Sequence, residues 1–267
     1  MVSMQTTIQS HLSTIEERYG VTILYACESG SRAWDFASPN SDYDVRFVYV
    51  HAQDWYLSIS EQRDVLEYMD DGVLDINGWD IRKALRLLRK GNAALREWLH
   101  SPIIYQSRDE LFAPVLELAQ RTFWPETLCH HYLALARRSL ATLKESQQAK
   151  RKTYLYALRP LLCCQWIIHD NTQPPMLIDE LLAACMPEGD PVLREYIDEL
   201  LRRKRQSEER AMIERSEFFE VFLRRQINAL EPQIPKNPPK IATAEFDRVF
   251  KAILKRSGTE RASACLS

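Results

Sequence analysis

The chain has 267 residues, of which 45% are hydrophobic and 27% charged, so it has the composition of a soluble globular protein and can form one large domain or two smaller ones. Its formal net charge of −2 argues against a general nucleic-acid coat protein but leaves room for a local basic face. No apolar run approaches the length of a membrane span, and the six cysteines show no CxxC spacing, which favours reduced thiols in the cytoplasm.

Hydrophobic periodicity and turn residues predict a mixture of strands and helices in the N-terminal part of the chain. The predicted elements, in chain order, are a helix over residues 1–19, strands over 21–26, 44–50, 56–59, 63–68 and 73–79, and helices over 81–88 and 93–99. Residues 29–41, with their Ser-Pro-Asn-Ser turn chemistry, are predicted to form a loop, and Asp70 and Asp71 are predicted turn residues.

Beyond residue 108 the apolar spacing is almost entirely helical. The predicted helices are residues 111–120, 126–146, 152–170, 178–186, 191–206, 208–230 and 244–255, and a proline-rich segment over 231–240 is predicted to be extended. We therefore predict an α+β fold with an N-terminal domain over residues 1–107, a helical domain over 108–232, and a Pro-rich strap and C-terminal tail over 233–267.

The most informative stretch of the sequence joins a Gly-Ser pair, Gly30-Ser31, to the doublet Asp42-Tyr43-Asp44. Because side chains alternate along a strand, Asp42 and Asp44 are expected on one face, where two carboxylates repel unless a cation lies between them. The small Gly30 lets backbone N–H groups and the Ser31 hydroxyl approach a phosphate. This combination favours Mg²⁺-dependent phosphoryl or nucleotidyl transfer, whereas the alternative is a polar loop with turn residues.

A third carboxylate is expected in such a site, and the sequence offers two candidates, Asp75 and Asp80. Asp75 lies inside a predicted strand, where aspartate has a poor propensity and needs a reason to be present. Asp80 precedes a predicted helix and has an ordinary structural role as its N-cap. We therefore predict Asp75 as the metal ligand and keep Asp80 as the alternative.

Several basic and aromatic residues are candidates for contacts to a bound nucleotide. Arg32, Arg46 and Lys83 are close in sequence to the acidic motifs. Lys152, Tyr156 and Arg159 follow at spacings of four and three, which places them on one helix face. The alternative is that the tyrosine belongs to the core and the basic residues to a solvated surface. The basic run of residues 202–205 has the same two interpretations, a solvated face or an RNA-contacting one.

Together these motifs resemble the DNA polymerase β-like nucleotidyltransferase pattern. The more specific resemblance is to the bacterial and phage RlaP family of nucleotidyltransferases, described as an RNA repair pathway DNA polymerase beta family. It rests on ordered blocks at residues 28–34, 41–46, 75–85, 97–102, 130–132, 152–160 and 174–176. The likeness is strong over about residues 20–185. Asp35 departs from it, because a glycine is expected after the Ala-Trp pair, and this bears on nucleotide affinity.

The resemblance implies a nucleotidyltransferase catalytic domain with a short mixed sheet flanked by helices, followed by a helical domain. A nucleoside triphosphate (NTP) would be the donor, with Gly30 and Ser31 on its phosphates and Ser41 among the nucleotide-binding residues. Asp42 and Asp44 would bind one Mg²⁺ and share a second with Asp75, and Mn²⁺ can replace Mg²⁺.

The acceptor implied by the family label is an RNA 3′ end, such as that of a tRNA. The alternatives within the enzyme class are a protein hydroxyl, as in AMPylation, and a small-molecule hydroxyl. A non-catalytic nucleotide sensor or antitoxin-like module is the alternative outside that class, and it leaves a protein partner open. The choice of NTP and the oligomeric state are not encoded in any motif.

Overall fold

The computed structural model of the chain describes residues 3–69, 72–143, 148–186, 190–206 and 212–264, so the predicted turn at Asp70 and Asp71 lies outside the described residues. The elements, in chain order, are α1 (Met4–Tyr19), β1 (Thr22–Ser29), α2 (Gly30–Ala33), β2 (Tyr43–Val50), α3 (Gln53–Tyr56), β3 (Val65–Met69), β4 (Leu74–Asp80), α4 (Ile81–Arg89), α5 (Ala93–Leu99), β5 (Ile104–Ser107), α6 (Asp109–Arg121), α7 (Pro125–Ala141), β6 (Gln148–Lys150), α8 (Arg151–Asp170), α9 (Ile178–Cys185), α10 (Pro191–Gln206), β7 (Met212–Glu214), α11 (Glu217–Leu230) and α12 (Thr243–Ala264).

The chain divides into a sheet unit, made of residues 1–30, 42–122 and 239–267, and a helical unit, made of residues 31–41 and 123–238. These boundaries differ from the domains predicted at 107/108 and 232/233. Helix α6 joins the sheet unit because Phe112 stacks on Tyr25, with ring centroids 5.0 Å apart, and α12 packs against α4 and α6. Periodicity shows that a segment is helical, but it does not show which neighbour the apolar face meets.

Within the described residues, the sheet unit has a five-stranded sheet in the order β3-β4-β2-β1-β5. Strands β2 and β4 are parallel, and the other neighbours are antiparallel. One face packs on α4, α5, α6 and α12, and the other packs on α1 through Ile8, Leu12 and Ile15. Because both faces of the sheet are covered, the sequence of β1 is almost continuously apolar and does not alternate between apolar and polar residues. The predicted α+β class is confirmed.

The helical unit is built on the pair α7 and α8, with α9, α10 and α11 packed against α8. Two predicted elements were wrong, one in this unit and one in the sheet unit. The predicted helix over 208–230 starts only at Glu217, because residues 212–214 form β7, which pairs with β6 in an antiparallel ribbon. In the sheet unit, the strand predicted over 56–59 does not form, because Tyr56 ends the short helix α3 and the following Leu57 and Ile59 are exposed.

Helix α12 extends further than the predicted final helix over 244–255, to Ala264. Among the described residues, no helix combines the length and the apolar character that a bilayer span requires.

Candidate functional site

The parallel pairing of β2 with β4 places two of the predicted carboxylates side by side. Asp44 is the register partner of Asp75. The Arg46 guanidinium connects them, because its Nη2 lies 2.9 Å from Asp44 Oδ1 and 2.8 Å from Asp75 Oδ2. Its Nη1 also donates to the main-chain oxygen of Asp75 at 2.8 Å. Two acidic residues 31 positions apart in the sequence therefore converge on one cationic group.

The environment of Asp44 shifts the pKa of its carboxyl group. Burial raises its pKa above the ordinary value, and the nearby charges of Asp75 and Asp42 raise it further, whereas Arg46 acts in the opposite direction. Asp42 is exposed and close enough to Asp44 for this electrostatic interaction. A carboxyl group held among other carboxylates in this way favours the binding of a cation, since a positive charge relieves the repulsion.

Gly30 lies against this carboxylate. Its φ of +65° is in the left-handed region, and a Cβ added to it would lie 2.4 Å from Asp44 Oδ2. Only glycine therefore fits, for two separate reasons, the backbone conformation and the close approach of the carboxylate. The sequence had singled out Gly30 for its approach to a phosphate, and that role stays a prediction.

The alternative third carboxylate, Asp80, has a different environment. It is fully buried at the end of β4, where Oδ1 accepts the Arg82 N–H at 2.8 Å as the N-cap of α4. Its Oδ2 accepts the Tyr56 hydroxyl. Both carboxylate oxygens are thus used structurally, whereas the Asp75 side chain is 46% exposed beside Asp44. The geometry favours Asp75 over Asp80, although its catalytic role stays a prediction.

Sequence reasoning missed Glu28, which is fully buried at the end of β1. Its Oε1 accepts the Asp44 backbone N–H at 2.8 Å, and its Oε2 accepts the Tyr105 hydroxyl. Glu28 thereby holds the backbone of the aspartate doublet from the neighbouring strand. A signal was available, because Glu28 is the one charged residue in the run 21–29, directly before the Gly-Ser pair.

Three predicted nucleotide-binding residues belong to the segment of residues 31–41 in the helical unit. Ser31 and Ser41 are buried, and Arg32 Nη2 donates to the Ser41 main-chain oxygen at 2.6 Å. The Ser41 hydroxyl is hydrogen-bonded to the Ser38 hydroxyl at 2.9 Å. Arg32 therefore closes this loop internally, and the nucleotide contacts of all three residues stay predictions.

The predicted face of α8 also packs on this loop. The Arg159 guanidinium lies 4.3 Å from the centroid of the Trp34 ring, and Tyr156 meets the same ring edge-on at 5.5 Å. Arg159 is 3% exposed, so in this structure it supports Trp34 rather than projecting into solvent. Lys152 is half-buried near the start of α8. In the sheet unit, Lys83 pairs with Asp64 at 2.9 Å.

The basic run of residues 202–205 resolves into two kinds of residue. Arg202 and Arg203 pair with Glu199 on the surface of α10. Lys204 is 1% exposed, and its ammonium lies 3.3 Å from the hydroxyls of both Ser38 and Ser41. Arg205 Nε donates to the main-chain oxygen of Asp35 at 2.9 Å. Half of this run thus anchors the loop of residues 31–41, an interpretation that the sequence did not suggest.

The carboxylates of Asp42 and Asp44 offer the oxygen ligands that a hard divalent cation such as Mg²⁺ prefers. Asp44 and Asp75 are both bonded to the Arg46 guanidinium, and Asp44 Oδ2 packs closely against Gly30. Across residues 3–69, 72–143, 148–186, 190–206 and 212–264, however, no three acidic, histidine or cysteine side chains come close enough to hold a single ion together. Within the described residues, Mg²⁺ would therefore be held by two protein carboxylates, and water or substrate oxygens would supply its remaining ligands.

Comparison with known proteins gives a family match, a relative and a distantly similar structure. Residues 4–252 match the model of the family described as "RlaP: RNA repair pathway DNA polymerase beta family". The chain is 41% identical to the uncharacterized protein YcgL of Bacillus subtilis (strain 168) over 253 residues, which covers 92% of this chain and 95% of the relative. A crystal structure of a nucleotidyltransferase-like protein from Exiguobacterium sibiricum 255-15 is similar at a TM-score of 0.33 and 14% identity, covering 85% of this chain and 74% of that one. On the family match and the B. subtilis relative, the chain belongs to the RlaP family of DNA polymerase β-like nucleotidyltransferases.

Proposed function

We propose that the protein transfers a nucleoside monophosphate from an NTP to a hydroxyl at the 3′ end of an RNA and releases pyrophosphate. The observation that carries the proposal is the placement of Asp44 beside Gly30 and opposite Asp75, with Asp42 near enough to act on the Asp44 charge. Carboxylates grouped at a glycine-containing turn suit the binding of a metal–triphosphate. The family description supports RNA as the acceptor.

The chemistry requires a hydroxyl oxygen to form a bond to the α-phosphorus while the bond between the α-phosphorus and the bridging oxygen breaks. The leaving oxygen takes the electron pair and departs with pyrophosphate, and the hydroxyl proton passes to water. Bound Mg²⁺, or Mn²⁺ in its place, would neutralise the triphosphate and polarise its oxygens. Asp42 and Asp44 would hold that ion, and Glu28 would keep the Asp44 backbone in place. Any second ion would have to draw on Asp75, whose carboxylate is already bonded to Arg46.

A basic surface of the sheet unit supports a polyanionic acceptor. Helix α4 and the following Lys90 carry five lysines and arginines and no acidic residue, although the net charge of the chain is −2. Arg82, Arg86 and Arg89 are spaced by four and three and line one side of a cleft of about 290 Å³. One carboxylate, that of Asp247 on α12, lines the same cleft. Guanidinium groups in such a row suit successive phosphates of an RNA backbone.

The decisive experiment incubates the pure protein with each α-³²P-labelled NTP, Mg²⁺ and total cellular RNA, and then separates RNA and protein on gels. We expect labelled RNA with the wild type and with Asp54→Asn, an exposed aspartate of α3 that serves as the matched control. Asp42→Asn and Asp44→Asn should abolish the label. Label on a protein band would replace the RNA acceptor by a protein acceptor. No label on any acceptor, with the NTP bound, would contradict transferase activity.

The basic surface has its own test. We expect Arg86→Gln to weaken RNA binding and to reduce the slope of log affinity against log salt by about one, because one phosphate contact is lost. Arg63→Gln removes one exposed arginine of the same unit that pairs with Glu67, and it should leave the slope unchanged. Equal slopes for both variants and the wild type would exclude α4 from the RNA interface.

A further inference from the structure

Arg46 is held unusually firmly for an arginine next to an acidic cluster. Its side chain is 17% exposed and makes four hydrogen bonds. Nη2 donates to Asp44 Oδ1 and Asp75 Oδ2 at 2.9 and 2.8 Å, and Nη1 donates to the main-chain oxygens of Val45 and Asp75 at 3.1 and 2.8 Å. The position of the guanidinium is thus determined by both strands of the parallel pair.

A guanidinium in this position has a fixed charge. Arginine is not deprotonated in proteins, so the positive charge between Asp44 and Asp75 is permanent and independent of metal concentration. A divalent ion that bridged the same two carboxylates would have to displace Nη2 and then remain close to the displaced positive charge. Both requirements disfavour such an ion, because they break charge-assisted hydrogen bonds and bring like charges together.

The second oxygen of Asp44 has a different environment. Arg46 takes Oδ1, whereas Oδ2 packs against Gly30 so closely that a Cβ at that position would lie 2.4 Å from it. Asp42, two residues earlier, is exposed. The pair Asp44 and Asp75 therefore already shares the fixed positive charge of Arg46, whereas Asp42 acts on Asp44 as a further negative charge.

We propose that Arg46 takes the place of the second divalent ion, so that the nucleotide complex of this protein binds one divalent ion per chain, through Asp42 and Asp44. The inference rests on the proposed nucleotidyltransferase function and changes the two-ion expectation drawn from the sequence. Asp75 is then a positioning residue that orients Arg46 rather than a metal ligand. The pair Asp44 and Asp75 keeps its counter-charge at every Mg²⁺ concentration.

The test counts bound Mn²⁺ by the EPR signal of the free ion, with saturating α,β-methylene NTP, which cannot be cleaved between those phosphates. The analogue is used with each of the four bases, and nucleotide binding is measured in the same sample. Samples without protein correct for the Mn²⁺ that binds to free nucleotide. We expect about one ion per chain for the wild type and for Arg63→Gln, the exposed-arginine control. Arg46→Gln should bind about two, because the competing charge is removed.

Asp75→Asn provides a second, independent variant. It should keep the count at about one, because Asp75 is not a ligand in this arrangement, whereas a two-ion site would lose one ion. A wild-type count of two would overturn the inference, and so would a count of one in a folded Arg46→Gln variant. Nucleotide bound with two ions would leave the proposed function intact. Failure to bind any of the four nucleotides would instead refute the proposed function, and the inference with it.

Discussion

The strand pair β2–β4 and the loop of residues 31–41 hold their polar residues by different means. In the strand pair, Asp44, Arg46 and Asp75 are placed by backbone register, and their partners are each other. In the loop, the hydroxyls of Ser38 and Ser41 and the main-chain oxygen of Asp35 are held by α10 residues more than 160 positions away in sequence.

This difference has a physical consequence for each region. A sheet register is fixed by many main-chain hydrogen bonds, so a single side-chain change there alters chemistry more than geometry. A loop has no such ladder, and its conformation depends on a few side chains from elsewhere. We therefore expect substitutions in the strand pair to reduce activity and substitutions in the loop anchors to reduce stability and nucleotide affinity together.

The largest effect is expected where both geometry and chemistry are constrained, at Gly30. In Gly30→Ala the new Cβ would lie 2.4 Å from Asp44 Oδ2, and activity should fall by about 100-fold or more because the carboxylate must move. Gly20→Ala is the matched control, with a similar φ of +60° but nothing within 4 Å, so it should lose about 1 kcal/mol of stability and keep its activity. Equal specific activities for the two variants would contradict the close-approach argument.

The two candidate third carboxylates should separate activity from stability. Asp80→Ala removes an N-cap and the acceptor for Tyr56, so the free energy of unfolding should fall by about 1–3 kcal/mol while the folded protein stays active. Asp75→Ala should reduce activity by about 100-fold or more with little change in melting temperature. Melting curves and activity per folded molecule measure both, and the reverse pattern would exchange the roles of the two residues.

The loop anchor Lys204 should show a mixed effect. Lys204→Met keeps the apolar stem but removes the ammonium from the Ser38 and Ser41 hydroxyls, so stability should fall by about 1–3 kcal/mol. The KM for the NTP should rise by about 10-fold as the loop loses its anchor, while kcat changes less. Arg202→Met, in the same basic run but on the surface, should behave as the wild type. An unchanged KM in Lys204→Met would show that the loop does not depend on this contact.

A smaller effect concerns the acid stability of the helical unit. Hydrogen bonds from Arg215 and then from Tyr154 lower the pKa of the buried Glu220, although burial acts in the opposite direction. Its contribution to stability is therefore complete above the ordinary glutamate pKa of about 4.3 and is lost as pH falls through the lowered value. Melting temperature against pH should show this acid loss in the wild type and in Glu217→Gln, an exposed control on α11, but not in Glu220→Gln.

The smallest effect is expected at Asp35, the position where the resemblance to the family leads us to expect glycine. Its φ of +62° is left-handed, and Arg205 donates to its main-chain oxygen, which a glycine would keep. Relief of backbone strain and the greater freedom of the unfolded chain oppose each other, so Asp35→Gly should change stability by no more than about 0.5 kcal/mol. Asp35→Val should lose about 1–2 kcal/mol. A large loss of nucleotide affinity in Asp35→Gly would show that the carboxylate itself takes part in binding.

Sequence reasoning reached the acidic residues of the strand pair but not their supports. Asp44 and Asp75 could be predicted because an aspartate within a strand is conspicuous and because alternation relates neighbouring side chains. Glu28 gave one signal, as the one charged residue of an apolar run, but its partners and those of the buried Lys204 could not be predicted, because a buried charge finds them in distant segments. The bond between Asp44 N–H and Glu28 depends on the antiparallel register of β1 and β2, which no local pattern encodes.

The sequence by itself determined the α+β class, most of the strands and helices, the acidic motifs and the family, because these depend on local periodicity and on short ordered blocks of residues. Tertiary structure alone decided that Arg46 lies between Asp44 and Asp75, that Asp80 is a buried cap, and that α6 and α12 belong to the sheet unit. The physical reason is that register and burial arise from contacts between segments far apart in the chain, where charge pairing and apolar packing act together.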